Sequence, residues 1–184
     1  MKKSFFSLFA PACVLVLFAS LMFSADAQQG ATDASEAPAS RLITIFWGIV
    51  GYTQWPDAKE SFRICLSGDN RHLAMIRQSA IKLGHGVATL SLLENAATSC
   101  DIVYVSGTGD DEAGKLPRLL DGAPVLSIGE GEDFCSMGGM FCLLSSDKED
   151  GAIDEFAVNL DAISRSTLRI NPQVLRLSKN RREH

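Results

Sequence analysis

Leu42, Ile45, Phe46 and Ile49 recur at i, i+3, i+4 and i+7, the stripe of an amphipathic helix. Ser40 is placed to cap that helix ahead of Arg41, and Pro56 ends it. Trp47, Tyr52 and Trp55 lie beyond the minimal stripe. They either complete the core or form a binding surface. The period then falls to two. Ser61–Ser67 alternates as a strand, and Gly68-Asp69-Asn70 follows as a turn and cap. Leu73, Ile76, Ala80 and Ile81 predict a second helix that ends near Gly84. Gly86–Leu93 predicts a strand, Glu94–Ser99 a short helix or turn, and Asp101–Ser106 a strand bounded by Gly107. Asp110–Asp121 reads as a short helix, with Leu116, Leu119 and Leu120 apolar, and Ala123–Ile128 as a fourth strand. Strands alternating with helices imply a mostly parallel sheet.

The pattern changes after residue 130. Gly138-Gly139 can take the positive φ angles of a two-residue hairpin turn within Phe134–Ser145. Counting outward from that pair, Met137 meets Met140, Ser136 meets Phe141, and Cys135 meets Cys142. Asp154–Leu160 alternates, with Phe156, Val158 and Leu160 on one face. Together these predict antiparallel segments extending one edge of the sheet. Asp161 is a candidate cap for a helix to about Ser166, and Asn171-Pro172 opens a last helix, Gln173–Lys179. The expected fold is α/β: a mostly parallel sheet flanked by helices, an antiparallel disulfide-stapled hairpin at its edge, and C-terminal helices.

The N-terminus places this domain outside the cytoplasm. Lys2-Lys3 precedes an apolar run from Phe5 to Phe23, and Ala25-Asp26-Ala27 is a small-x-small cleavage site. A secretory signal over residues 1–27 is expected, cleaved after Ala27, with an uncleaved anchor as the rival reading. Cys13 sits inside the apolar run, where a lipidated cysteine would follow it, so Cys13 leaves with the signal. Residues 28–39 read as a disordered lead-in, 40–180 as a single domain, and 181–184 as a frayed basic tail. The 184-residue chain has 17 Lys+Arg and 22 Asp+Glu. Loss of Lys2, Lys3 and Asp26 leaves 15 and 21, a net charge of −6, which argues against general nucleic-acid binding.

Four cysteines then remain, Cys65, Cys100, Cys135 and Cys142, and four allow three pairings. The hairpin register favours Cys135–Cys142, which leaves Cys65–Cys100. The chain-entropy account gives the short loop roughly 2.5 kcal/mol and the long one nearly 4, as ceilings.

The chain offers no recognisable catalytic arrangement. His72, His85 and His184 lack a helical metal spacing and pair with no nearby Cys. Gly107-Thr108-Gly109 follows a strand, but Asp110-Asp111-Glu112 would meet a phosphate with carboxylates. Asp147, Glu149, Asp150, Asp154 and Glu155 cluster around Gly151 without the alternation of a calcium loop. The densest polar constellation is Asn159, Asp161, Arg165, Arg169 and Asn171. Asp161 and Arg165 share a helical face. They form either a local ion pair with caps or a pocket wall where Arg165 or Arg169 holds an anion or a partner carboxylate. No cofactor and no metal are expected.

Three segments together resemble the YfiR family of periplasmic regulators: Arg41–Pro56 with its Ile-Val-Gly-Tyr-Thr-Gln-Trp-Pro ending, Phe-Cys-Ser-Met-Gly-Gly-Met-Phe-Cys, and the run from Phe156 to Leu177 containing Asn-Leu-Asp-Ala-Ile-Ser-Arg-Ser-Thr-Leu-Arg-Ile-Asn-Pro. The resemblance covers residues 41–179, by pattern more than by residue over 69–130. It implies a non-enzymatic, often dimeric repressor. Such a protein binds the periplasmic sensor region of a YfiN-type inner-membrane diguanylate cyclase and restrains cyclic di-GMP synthesis and biofilm growth. It also implies release by a YfiB-type OmpA-like outer-membrane lipoprotein or by redox and envelope stress, and two disulfides at matching places. Trp47, Tyr52, Trp55, Asp161, Arg165 and Arg169 are the candidate partner- or ligand-binding residues. A small-ligand-binding sensor domain acting on another membrane receptor is the second reading, and an unrecognised enzyme the third.

Overall fold

The computed structural model describes residues 33–68, 70–90, 95–106, 115–145 and 151–179, without the side chains of 33–40, 117 and 179. The signal segment, residues 28–32 of the lead-in, the Gly107-Thr108-Gly109 loop, the acids at 147, 149 and 150, and the basic tail lie outside that description. Ser35 onward forms one unit.

The first helix, α1 (Asp33–Gly51), begins upstream of Ser40, so Ser40 and residues 33–39 are helical rather than cap and lead-in. Its Leu42, Ile45, Phe46 and Ile49 are fully buried, as the stripe predicts. Strand β1 (Thr53–Gln54) follows, then β2 (Arg63–Ser67). Asn70 caps α2 (Arg71–Lys82), its side chain accepting from the His72 and Leu73 amides. After β3 (Gly86–Thr89) come α3 (Ala96–Ser99), β4 (Ile102–Val105), α4 (Leu116–Leu119) and β5 (Leu126–Glu130). The chain continues through α5 (Glu132–Ser136), β6 (Phe141–Ser145), β7 (Ile153–Val158), α6 (Leu160–Arg165) and β8 (Arg169–Ile170). A 3-10 turn (Pro172–Leu175) and α7 (Arg176–Lys179) divide what the sequence predicts as one last helix.

The main sheet has the order β3-β2-β4-β5-β6-β7, parallel up to β6 and antiparallel at β7. Among themselves the parallel strands run 2-1-3-4-5, a doubly wound order whose direction reverses between β2 and β4. Alternation assigns the two faces. Ile64, Leu66, Ile102, Tyr104, Leu126 and Ile128 join α1 and α2 in one core. Cys65, Val103, Val105 and Cys142 join α3, α4 and α5 in the other.

The antiparallel edge is present, as β6 against β7, but Phe134–Ser145 is not a hairpin. Cys135 lies in α5 and Cys142 in β6. Gly138 is left-handed at φ 104°. The Gly138 amide donates to the Cys135 carbonyl at 2.9 Å, and the Gly139 amide to the Phe134 carbonyl at 2.8 Å. That pair of bonds is a Schellman helix end. At Gly139 a Cβ would lie 2.1 Å from the Phe134 ring. The Gly-Gly pair therefore closes a helix and admits a close aromatic contact, and the chain then enters a parallel strand beside β5. Both predicted disulfides form, with Cα separations of 5.8 Å for Cys65–Cys100 and 5.6 Å for Cys135–Cys142.

Two further expectations change at residue 159. Asn159 caps α6, accepting from the Ala162 amide at 3.0 Å, so Asp161 sits inside the first turn instead of capping it. The cap turns the chain out of β7, and Leu160, expected on the inward face of the strand, is 72% exposed.

Candidate functional site

The three segments that carry the family resemblance meet in space. Thr53 pairs with Ile170 and Gln54 with Arg169 in the two-stranded β1–β8 sheet. The Asn171 amide donates to the Tyr52 carbonyl at 2.9 Å, while its side chain caps the 3-10 turn. The Trp-Pro end of α1 is thus clamped to the Arg169–Asn171 stretch. Asn159 makes the second junction. Its backbone amide donates to the Met140 carbonyl and its side-chain amide to the Cys135 carbonyl, both at 2.9 Å. One Asn therefore caps α6 and holds both ends of the disulfide segment.

The candidate residues divide among three places. Trp47 and Trp55 belong to an aromatic seam completed by His85 and Phe62. Ring centroids are 5.0 Å apart for Trp47–His85, 5.4 Å for Phe62–His85 and 4.6 Å for Trp55–Phe62. The Trp47 indole donates to Ser79 Oγ at 3.1 Å, tying α1 to α2. The Trp55 indole N–H is buried with no partner among the described residues. All four rings are partly exposed, so the seam is a core margin open to solvent. Tyr52 and Arg169 stand at the β1–β8 clamp. Asp161 and Arg165 form an i, i+4 ion pair on the open side of α6, where such pairs contribute little. Arg165 also borders a cavity of about 20 Å³, and Arg169 is not among its lining residues.

A buried polar network escaped the sequence reading. Glu130, at the carboxyl end of β5, accepts from Tyr104 Oη at 2.5 Å and from Asn70 Nδ2 at 3.0 Å. It also meets His72 Nδ1 at 3.1 Å. Burial pushes the Glu130 carboxyl up, but bonds from His72, Tyr104 and Asn70 outweigh it and hold the group below the usual carboxylate range. Burial, then the Glu130 charge, pushes the Tyr104 phenol up. The network fixes the start of α2 against the ends of β4 and β5. A signal was available: Tyr104 is the one polar side chain in the apolar run Ile102–Val105, and a buried phenol requires a partner.

At the opposite end of the sheet, Asp101 receives Lys59 Nζ at 2.9 Å and the Arg63 amide at 2.7 Å. Burial raises its carboxyl, and these donors overcome that and lower it. Both carboxylates are fully engaged by structural donors. Neither is poised as a general acid or base.

A family model described as YfiR/HmsC-like matches residues 42–179. Among solved structures the chain is similar to a conserved domain protein from Vibrio cholerae O1 biovar El Tor, at 15% identity and TM-score 0.53. That match covers 77% of this chain and 59% of the other, so the chain spans about three-fifths of that protein's length, and the likeness shows the fold alone. A cysteine desulfurase from Thermococcus onnurineus matches at TM-score 0.43 and 12% identity, over 58% of this chain and 31% of that one, too little to carry an argument. The family match runs from the second half of α1 to the end of α7 and takes in the parts of all three segments that the clamp and Asn159 hold together: the chain belongs to the YfiR/HmsC-like family.

Proposed function

We propose that this chain is a periplasmic repressor. It binds the periplasmic sensor region of an inner-membrane diguanylate cyclase, holds it inactive, and so limits cyclic di-GMP synthesis in the cytoplasm. The family match over residues 42–179 carries this reading. The two disulfides agree with an oxidising compartment. A repressor needs no catalytic group. It needs to bind the inactive cyclase more tightly than the active one, by about 5.5 kcal/mol for a near-complete shift.

An outer-membrane lipoprotein with an OmpA-like domain releases the cyclase by sequestering the repressor, and reduction of the disulfides releases it by unfolding the repressor. The functional form is a homodimer. The aromatic seam Trp47–Trp55, the clamp at Tyr52 and Arg169, and separately Asp161 and Arg165 on α6 are the candidate surfaces for partner contact.

Deleting the gene in its own host, alongside the intact cyclase, is expected to raise cyclic di-GMP. The wild-type copy should restore the basal level, and an export-deficient copy should not. Unchanged cyclic di-GMP in the deletion strain would sink the proposal.

A further inference from the structure

The two edges of the main sheet are unlike. At β7 the edge is guarded: Asp154 and Glu155 lie in the strand, the register shifts at Leu144/Ser145, and Arg41 Nε donates to the Asp154 carbonyl at 3.4 Å. These are the ordinary devices that discourage further strand pairing. At β3 the strand is four residues long and Arg77 Nη2 donates to Thr89 Oγ1 at 3.0 Å, but the strand itself carries no guard. Gly86-Val87-Ala88-Thr89 has no charge and no proline, and three of its four residues are exposed. The Gly86 amide donates to the Phe62 carbonyl at 2.9 Å and the Leu90 amide to the Leu66 carbonyl at 2.8 Å. Backbone groups alternate sides along a strand. The N–H and C=O of Val87 and Thr89 therefore point outward, where no described residue pairs with them.

The surface beside this edge is apolar and basic. A groove of about 550 Å³ runs between α2 and the end of β3, with Leu73, Ile81 and Arg77 among its walls. Ile81, in the groove wall, is 61% exposed, and Leu83, just past the end of α2, is 58% exposed. From Asn70 to Leu93 the chain carries Arg71, Arg77 and Lys82 and no Asp or Glu. Taking those three cations from the chain's net −5 leaves −8 on everything else. The edge that lacks a described partner lies beside a stretch that is basic throughout.

The geometry points to β3 as a docking strand for an extended, acidic segment of a protein partner. The segment adds to the sheet through the Val87 and Thr89 backbone. It lays alternate apolar side chains over Ile81 and Leu73 and sets its carboxylates near Arg77 and Lys82. Charge decides against a second copy of this chain as the occupant, because β3 against β3 would bring two basic surfaces together. The assignment does not depend on which protein carries the segment, nor on the cyclase reading.

The test uses the oxidised full chain and two fluorescein-labelled nonapeptides, one alternating Glu with Val and one alternating Lys with Val. The Glu peptide is expected to bind saturably, about tenfold tighter than the Lys peptide, with the preference shrinking as salt is raised. Hydrogen exchange should slow at the Val87 and Thr89 amides and leave Gly86 and Leu90 unchanged. Arg77→Glu should reverse the preference. Val87→Pro removes an outward N–H and no bond to β2, so it should abolish binding while the unfolding midpoint stays near that of wild type. Failure of the Glu peptide to bind at about 1 mM, equal binding of both peptides, protection elsewhere, or a wild-type dimer that Val87→Pro dissociates would each overturn the assignment. If Val87→Pro lowers the midpoint, Arg77→Glu and the exchange pattern decide.

Discussion

Among the described residues, twenty-two buried ones interlock on the face packed against α1 and α2, with Phe46, Tyr104 and Phe141 among the largest. On the face packed against α3, α4 and α5, ten do, and three of those are the disulfide cysteines Cys65, Cys100 and Cys142. The helices explain the difference. α1 and α2 have 19 and 12 residues, enough to present a continuous apolar stripe. α3, α4 and α5 have four, four and five, too short to be stable on their own or to cover much surface. Each disulfide ties one of these short segments to a strand: Cys100, just after α3, to β2, and Cys135, in α5, to β6. One face is held by burial and the other by covalent staples. The first face should therefore respond most to changes of side-chain volume, and the second should be the first to loosen under reductant.

Several measurements would break or sharpen that contrast. Phe46→Ala should cost about 3–5 kcal/mol, because a fully buried ring leaves a cavity among close-packed neighbours. Urea unfolding gives the value. Removing Cys65–Cys100 by the double Ser variant should cost up to about 3.8 kcal/mol, and removing Cys135–Cys142 up to about 2.4, following their separations of 35 and 7 residues. Combining Phe46→Ala with the Cys65/Cys100 variant should be additive within about 0.5 kcal/mol if the sheet insulates the two faces. Strong coupling would show that the staples also order the α1 face.

Acid tests the polar ties instead. Glu130 and Asp101 have folded pKa values below their unfolded ones, near 4.5 and 3.8. As pH falls, the unfolded chain takes up these protons first. Stability from both groups is thus complete above those values and drains away as pH drops through the folded ones. Glu130→Gln should cost about 1–3 kcal/mol at pH 7 and flatten the loss of stability below pH 4.5. An unchanged acid profile would mean that Glu130 is not a source of the pH dependence. The smallest effect belongs to Arg165→Ala. Its ion pair with Asp161 is solvent-exposed, and a change of at most about 1 kcal/mol is expected. A larger loss would mean that Arg165 acts through its neighbouring cavity instead.

Local chemistry made much of this molecule legible from its residues alone. The buried stripe of α1, the Asn70 and Asn171 caps, the alternation of β2, the apolar run of β4 and the Cys135–Cys142 partners all follow from spacing over a few residues, and Cys65–Cys100 is what that pairing leaves. The Cys135–Cys142 pairing was legible for a different reason than the true one. Gly-Gly satisfies the dihedral needs of a hairpin turn and of a Schellman helix end alike, and both bring residues 135 and 142 within disulfide reach. What separates them is the Phe134 ring, which occupies the place a Cβ at Gly139 would need, and the vacant side of β5 that β6 fills.

The candidate site shows the same boundary. Trp47, Tyr52 and Trp55 are conspicuous by residue type. Their setting depends on Phe62, His85 and Arg169, which spacing along the chain cannot assign to them. Likewise Tyr104 needed a partner, but only the alignment of β4 with β5 puts Glu130 beneath its hydroxyl. The sequence by itself determined the periods, the Asn70 and Asn171 caps and the export-compatible cysteines, because each depends on residue type and near neighbours in the chain. Only the tertiary structure decided which face each staple serves, how the three shared segments meet at Asn159 and Tyr52, and which edge of the sheet has no partner among the described residues. Those depend on residues far apart in the chain, 117 positions for Thr53 and Ile170 and 119 for Tyr52 and Asn171, and long-range pairing is settled by how whole elements pack.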